Sequence, residues 1–484
     1  MSNLIDLKPQ AIWHFFNEVS KVPRPSKHEG KMIDFLLHFA AVHKLDALKD
    51  EAGNVVIKKP GTKGLEKGNV VVLQSHMDMV CEKNEGTVHD FFKDPIVPIV
   101  DGGWVRADHT TLGADCGIGI AATLAVLADD MMAHPPIEAL FTVDEETGLT
   151  GAQALQPGFL TGKILLNLDS EDEGELFIGC AGGIDSVAKF KYTTEAVPAN
   201  GVAFKISVSG LLGGHSGDDI EKGRGNSIKI LNRFLYQLTE TCECHISLFQ
   251  GGNLRNAIPR EASAVVVIPG DKKELMSIEL NHFRAEMENE LFKKEPKFKI
   301  SPESFEMPAT VMNRESQSKL INMIYSLPHG VHSMSFRMPG MVESSTNLAS
   351  IKFISGSEIE IVTSQRSDQE SGKQDIYQMV ESVFRLAGAT VTRGDGYCGW
   401  TPNPSSHTLE VSRKCYEALF KVKPVVRSIH AGLECGLFLE KFPDLDMISF
   451  GPTLRGVHSP DEKIEIASVE KFWKFLTELL PKLA

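Results

Sequence analysis

A chain of 484 residues exceeds the roughly 250–300 at which single hydrophobic cores stop growing, so two or three domains are expected. With 42% hydrophobic and 24% charged residues, and no low-complexity run or short-period repeat, the whole chain reads as globular. A formal charge of −14 argues against a nucleic-acid partner, which needs a concentrated basic surface, and the longest apolar stretch, Ile118–Ala128, is well short of the roughly 20 residues that cross a bilayer.

Met1–Phe16 lacks the basic start, apolar core and small-residue cleavage site of a secretory leader, so a cytoplasmic chain with no membrane partner is expected. Its eight cysteines show no paired Cys-x-x-Cys spacing and read as reduced thiols. Further along, residues 69–75 form a continuous apolar run, as in a strand buried on both faces of a parallel sheet, and His76 follows directly. Gly117–Ala128 predicts a buried helix with Asp115 just before its start. Ile137–Val143 is a second buried strand running into Asp144-Glu145-Glu146, and residues 163–168 a third, ending in Asp169.

The middle of the chain has another texture. Val202, Phe204, Ile206 and Val208 alternate with polar neighbours, which predicts a half-exposed strand in an antiparallel sheet. Residues 226–238 carry apolar side chains at helical spacing, and 262–268 and 358–362 read as strands with a helix over about 272–291. This α+β segment, 186–394, reads as a domain inserted into another made of 1–185 and 395–484. Residues 446–451 then form a last buried strand, reaching His458 after a short loop. The fold class is therefore α/β, a mixed sheet flanked by helices with an inserted second domain.

Four predicted strands end in potential metal ligands, and ligand sites in open α/β sheets lie beyond the carboxyl ends of strands. Residues two apart on a strand point the same way, so Asp78 is placed to accept the second ring N–H of His76. Asp115 has two oxygens with which to bridge two cations, although alone it is an ordinary helix N-cap. Of the adjacent glutamates, Glu146 is assigned as ligand and Glu145 as the general base that deprotonates water. Singly, Asp169 and His458 have structural readings. Jointly, Asp78, Asp115, Glu145, Glu146 and Asp169 would crowd carboxylates that cannot all stay ionised without cations. With imidazole and carboxylate donors and no thiolate, two Zn²⁺ are expected, with Mn²⁺ or Co²⁺ as substitutes.

The motifs at His76-Met-Asp-Met-Val, Leu-Gly-Ala-Asp115-Cys-Gly, Asp-Glu145-Glu146-Thr-Gly, Asn-Leu-Asp169 and Val-His458-Ser-Pro-Asp-Glu resemble, in order, those of the co-catalytic zinc peptidases that include carnosinases, aminoacylases and carboxypeptidase G. The resemblance implies one metal on His76, Asp115 and Asp169 and another on Asp115, Glu146 and His458. Gly-Gly-His215-Ser-Gly, Ser-Ile-His430-Ala-Gly-Leu-Glu-Cys-Gly and Gly-Tyr-Cys-Gly-Trp400 are similar to a branch that cleaves dipeptides, Xaa-His and β-alanyl-histidine among them. It further implies that the insert is a lid, that His215 stabilises the oxyanion, and that Asn256, Arg366 and Gly432 contact substrate, Arg366 clasping a free carboxylate. The partner expected is a small peptide. The same chemistry would serve an N-acyl amino acid deacylase or a tripeptide aminopeptidase, and a binding protein without catalysis is disfavoured by the intact Glu145 and ligands. The insert is roughly twice the size of one lid of four strands and two helices. It can therefore hold two such units, which would let a monomer do what a homodimer, the leaning expectation, does elsewhere.

Overall fold

The buried runs expected from the sequence lie side by side in an eight-stranded sheet. In spatial order its strands are Asp46–Lys49, Val55–Lys59, Ile137–Thr142, Val71–His76, Ile164–Asn167, Asp446–Ser449, Glu175–Cys180 and Val425–Ile429. The third to sixth of these are mutually parallel. Every residue of Val71–His76, Ile137–Thr142 and Ile164–Asn167 is buried, the signature of strands covered on both faces. One cover is the helix Ala114–Ala128, apolar all round and packed on Gln10–Ser20. The computed structural model describes residues 4–355 and 357–484 and divides into two compact units. The sheet belongs to the first, formed by residues 1–179, 400–428 and 433–484.

The second unit comprises residues 180–399 and 429–432. It is built on a nine-stranded antiparallel sheet, eight strands of which run in the order Lys299–Ser304, Gly201–Ser209, Ala262–Pro269, His245–Gly251, Val342–Ser355, Glu358–Ser367, Gly182–Lys191 and Thr390–Arg393. Gly330–Met334 pairs on the side with Val342–Ser355. The order reveals a repeat. The first four strands, with helices Ser227–Cys242 and Lys273–Leu291, follow the chain as strand, helix, strand, strand, helix, strand. The other four, with helices Arg314–Ser326 and Glu370–Leu386, follow the same plan, and the whole first repeat is inserted after the second repeat's opening strand. Their meeting line is the pair Gly251 and Ile351. The size of the insert is thus accounted for by doubling.

Local sequence explains these elements. Asn226 caps Ser227–Cys242, its Oδ1 accepting the N–H groups of Ile228 and Lys229 at 3.0 and 3.2 Å. Its Nδ2 donates to the Leu348 carbonyl at 2.8 Å and so ties helix to sheet. Such a cap contributes about 1 kcal/mol. The helix's apolar face, with Leu231, Phe234, Leu235 and Leu238 fully buried, packs on the sheet's core side.

Candidate active site

In the first unit the parallel strands bring the expected residues together beyond their C-terminal ends. His76 closes its strand, Asp169 follows Ile164–Asn167 by two residues, and His458 follows Asp446–Ser449 through a loop. His458 takes a left-handed backbone, φ 62°, a conformation that costs a non-glycine residue about 1–3 kcal/mol and persists only where the surroundings impose it. The glutamate pair departs from expectation. Ile137–Thr142 stops earlier, Asp144 turns the chain at φ 52°, and Glu145 and Glu146 open a short helix, Glu145–Gly148. The Asp144 carboxylate closes that turn by accepting the Thr147 and Thr150 hydroxyls. Asp78 accepts the N–H groups of Glu145 and Glu146 at 3.0 and 3.2 Å and the Ser26 hydroxyl at 2.7 Å.

The imidazole of His76 is oriented as its spacing to Asp78 predicts. Nδ1 lies 3.4 Å from Asp78 Oδ1, while Nε2 faces Asp115 Oδ1 and Asp169 Oδ1, each at 3.2 Å. The other oxygen of Asp115 is 3.2 Å from His458 Nε2, which stands 2.9 Å from Glu146 Oε2. Asp115 therefore turns one oxygen to each half of the cluster. Donor atoms of His76, Glu145 and Glu146, and of Asp115, Glu146 and His458, lie within 4.8 Å of one another. Glu146 Oε1 and Asp169 Oδ1 are buried without a hydrogen bond of ordinary geometry among the described residues. Unpaired buried donor atoms at this spacing fit a pair of divalent cations. One addition is Cys116, whose sulfur joins His76 and Asp169. Burial and the Asp169 charge hold it well above the ordinary thiol range, so it is a thiol there.

Charge is strained in this cluster. Burial pushes Glu145 well above the usual carboxylate range, with Asp169 and Glu146 adding to the rise against the pull of His76. Burial, and Asp115 behind it, raises Asp169 to about 6. Asp115 goes the other way, held low against burial by His458 and His76. His458 itself is raised to about 11 by Asp115 and Glu146. Opposite shifts of this kind follow from packing acids and imidazoles together in a buried cluster, an arrangement common at functional sites.

A buried polar row runs beneath these residues. Gln74 precedes His76 by two positions on one strand and so shares its face, and Asn167 closes the neighbouring strand two residues before Asp169. Ser449 donates to Asn167 Oδ1, Asn167 Nδ2 donates to Gln74 Oε1, and Gln74 Nε2 and the Thr142 hydroxyl donate to Glu434 Oε2 at 2.6 and 2.8 Å. Burial raises Glu434 to about 8. Networks of this kind hold a floor in one arrangement.

The second unit gathers another set. Arg366 is only 6% exposed, and among the described residues no carboxylate pairs with it. Its Nη1 donates to the Tyr397 hydroxyl at 2.8 Å, and Nε and Nη2 donate to Ser216 Oγ at 3.4 and 3.3 Å. A side chain on Gly432 would meet the Tyr397 ring, Cβ to Cε2 at 2.8 Å, which explains the glycine. His215 Nδ1 accepts the N–H groups of Gly217 and Asp218 at 3.3 and 3.2 Å, leaving Nε2 to carry the proton. Asp219 accepts the His215 main-chain N–H at 2.8 Å while bonding Arg224, so the loop is braced around the ring. His430, in a motif the sequence singled out, bonds Ser345 Oγ at 2.7 Å and is driven down to about 3 by burial and by Arg366. Asn256 differs. Its side chain is exposed, and it is its carbonyl that accepts the Ser216 N–H at 2.8 Å. Ser216 and Tyr397 stood inside the quoted motifs, one residue after His215 and three before Trp400, yet neither position carries a periodic signal.

A crossover sheet with a paired-imidazole and carboxylate cluster at its strand ends belongs to a class of hydrolases, and the chain is a member of one: peptidase family M20/M25/M40, whose pattern matches residues 72–482. It is 42% identical over 483 residues to the cytosol non-specific dipeptidase of Escherichia coli (strain K12), covering 100% of this chain and 99% of the relative. The crystal structure of aminoacylhistidine dipeptidase from Vibrio alginolyticus is similar at TM-score 0.91 and 43% identity, covering 99% of this chain and 98% of that one. A tripeptidase from Staphylococcus aureus shares the fold at TM-score 0.58 and 16% identity over 99% of both chains.

Proposed function

We propose that this peptidase is a cytoplasmic dipeptidase, with Xaa-His peptides, β-alanyl-histidine included, foremost among its substrates. The observation that carries the reading is Asp115 standing between His76 and His458, one oxygen to each, with Asp169 and Glu146 completing two sets of donors. His76, Asp115 and Asp169 would hold one ion, and Asp115, Glu146 and His458 the other. When bound, two divalent cations, zinc foremost with manganese or cobalt as substitutes, act as Lewis acids on the scissile carbonyl and acidify a water. Asp78 keeps the His76 ring turned toward the metals. Glu145, displaced upward in pKa, takes the proton of the attacking water and returns it to the leaving amine.

His215 donates its Nε2–H to the oxyanion, and Arg366, buried with no carboxylate partner among the described residues, takes the free C-terminal carboxylate with Ser216, Tyr397 and the Gly432 backbone around it. Asn256 belongs to the same substrate set. His215→Ala is expected to lower kcat roughly 10²- to 10³-fold with the metals retained, read from steady-state kinetics and metal analysis. A fall in KM affinity alone would remove His215 from the chemical step.

The test of the whole reading is a substrate panel on the zinc-loaded enzyme: β-alanyl-histidine, other Xaa-His dipeptides, dipeptides lacking histidine, a tripeptide and N-acetyl amino acids. Xaa-His cleaved fastest is the expected result. Equal rates across dipeptides would leave a dipeptidase without the histidine preference, and turnover of only the acylated compounds or only the tripeptide would make the chain a deacylase or a tripeptidase.

A further inference from the structure

The short segment that carries Asp115 is held by two buried charged side chains from distant parts of the chain. Glu462, 2% exposed, accepts four consecutive main-chain N–H groups: Leu112 at 2.7 Å and Gly113 at 2.9 Å on Oε2, Ala114 at 2.8 Å and Asp115 at 3.3 Å on Oε1. Arg24, also 2% exposed, donates through Nη2 to the Gly113 carbonyl and through Nη1 to the carbonyls of Met77 at 3.1 Å and Asp78 at 2.7 Å. Gly113 is thus held at both its N–H and its C=O, which belong to successive peptide groups. Space is made for the guanidinium by two glycines, since a Cβ on Gly113 or Gly117 would lie 2.7 Å from Arg24 Nη2.

We infer that Glu462 and Arg24 are positioning residues for the bridging carboxylate of Asp115, joining the segments of His76, Asp115 and His458 into one frame. The inference rests on the proposal that Asp115 and His458 hold metal. Glu462 lies four residues beyond His458, so its grip on 112–115 spaces that histidine against Asp115. Arg24 binds the carbonyls of the two residues after His76 and that of Gly113, and so spaces His76 against Asp115 in the same way. A carboxylate accepting four amides cannot be matched by an amide side chain, because one of its two heavy atoms becomes a donor facing donors. A helix cap alone would explain stability but no effect on metal binding.

The experiment measures zinc affinity of the metal-free protein by competition with a chromophoric chelator, for wild type, Glu462→Gln, Arg24→Lys and Asp115→Asn, with circular dichroism of each metal-free protein. Glu462→Gln and Arg24→Lys are expected to fold as wild type and to bind zinc roughly 10- to 100-fold more weakly, the usual effect of losing support around a ligand. Wild-type zinc affinity in both would overturn the inference, as would unfolding of both metal-free variants, which would make the pair a plain structural device. If Asp115→Asn also binds zinc as wild type does, it is the metal assignment itself that fails. Loss of zinc in Asp115→Asn with none in the other two confines the failure to this inference.

Discussion

Replacing Glu145 by glutamine is expected to lower kcat for dipeptide hydrolysis by roughly 10²- to 10⁴-fold, the range a positioned acid–base group supplies. The amide keeps the size of the side chain and cannot take a proton from water or return one to an amine. Glu145 is suited to that work because burial and its anionic neighbours lift it out of the ordinary carboxylate range. A base whose pKa lies nearer the working pH is both deprotonated often enough to accept and acidic enough to give the proton back. Asp78 holds the Glu145 and Glu146 N–H groups rather than their side chains, so the substitution leaves the backbone of the turn intact. The metal content of Glu145→Gln should match wild type. A variant that keeps its metals and more than about a tenth of the wild-type kcat would show that another group moves the proton.

The second large effect concerns Arg366. Arg366→Ala is expected to reduce kcat/KM for dipeptides by about 2–5 kcal/mol, the loss seen when one partner of a buried charge pair is removed. The reason is that among the described residues this buried guanidinium has only hydroxyl partners, Ser216 and Tyr397, and a cation so placed is costly until an anion joins it. The control is chemical. Amidating the peptide's C-terminus removes the carboxylate, so the wild type should discriminate strongly between acid and amide while Arg366→Ala should hardly discriminate at all. Equal preference for the acid in both proteins would assign the carboxylate to some other group.

How much of this was readable in advance depended on how local each feature is. A buried strand announces itself as an unbroken apolar run, and a ligand at its end is found by walking one or two residues on, as with His76 and Asp169. The fold class, the order of the elements and the residues that gather at the strand ends were legible for that reason. The Glu145–Glu146 pair opens a short helix where a strand end was expected, because the left-handed Asp144 and its bonds to Thr147 and Thr150 are turn chemistry that apolar periodicity does not register.

What the chain order alone determined, then, is a crossover sheet whose strands must finish in one row, since right-handed, parallel connections leave successive C-terminal ends on the same edge. Only the tertiary structure decided how that row is held. The bonds from Glu462 to residues 112–115 span 347 to 350 positions, Gln74 meets Glu434 across 360, and Arg366 meets Ser216 across 150. No periodicity relates positions so far apart, because their proximity is set by the packing of whole elements and not by the repeat of one strand or helix. The doubled sheet of the second unit is of the same kind. Its length hinted at two repeats, but the nesting of one within the other exists only in the pairing of strands, where Gly251 meets Ile351.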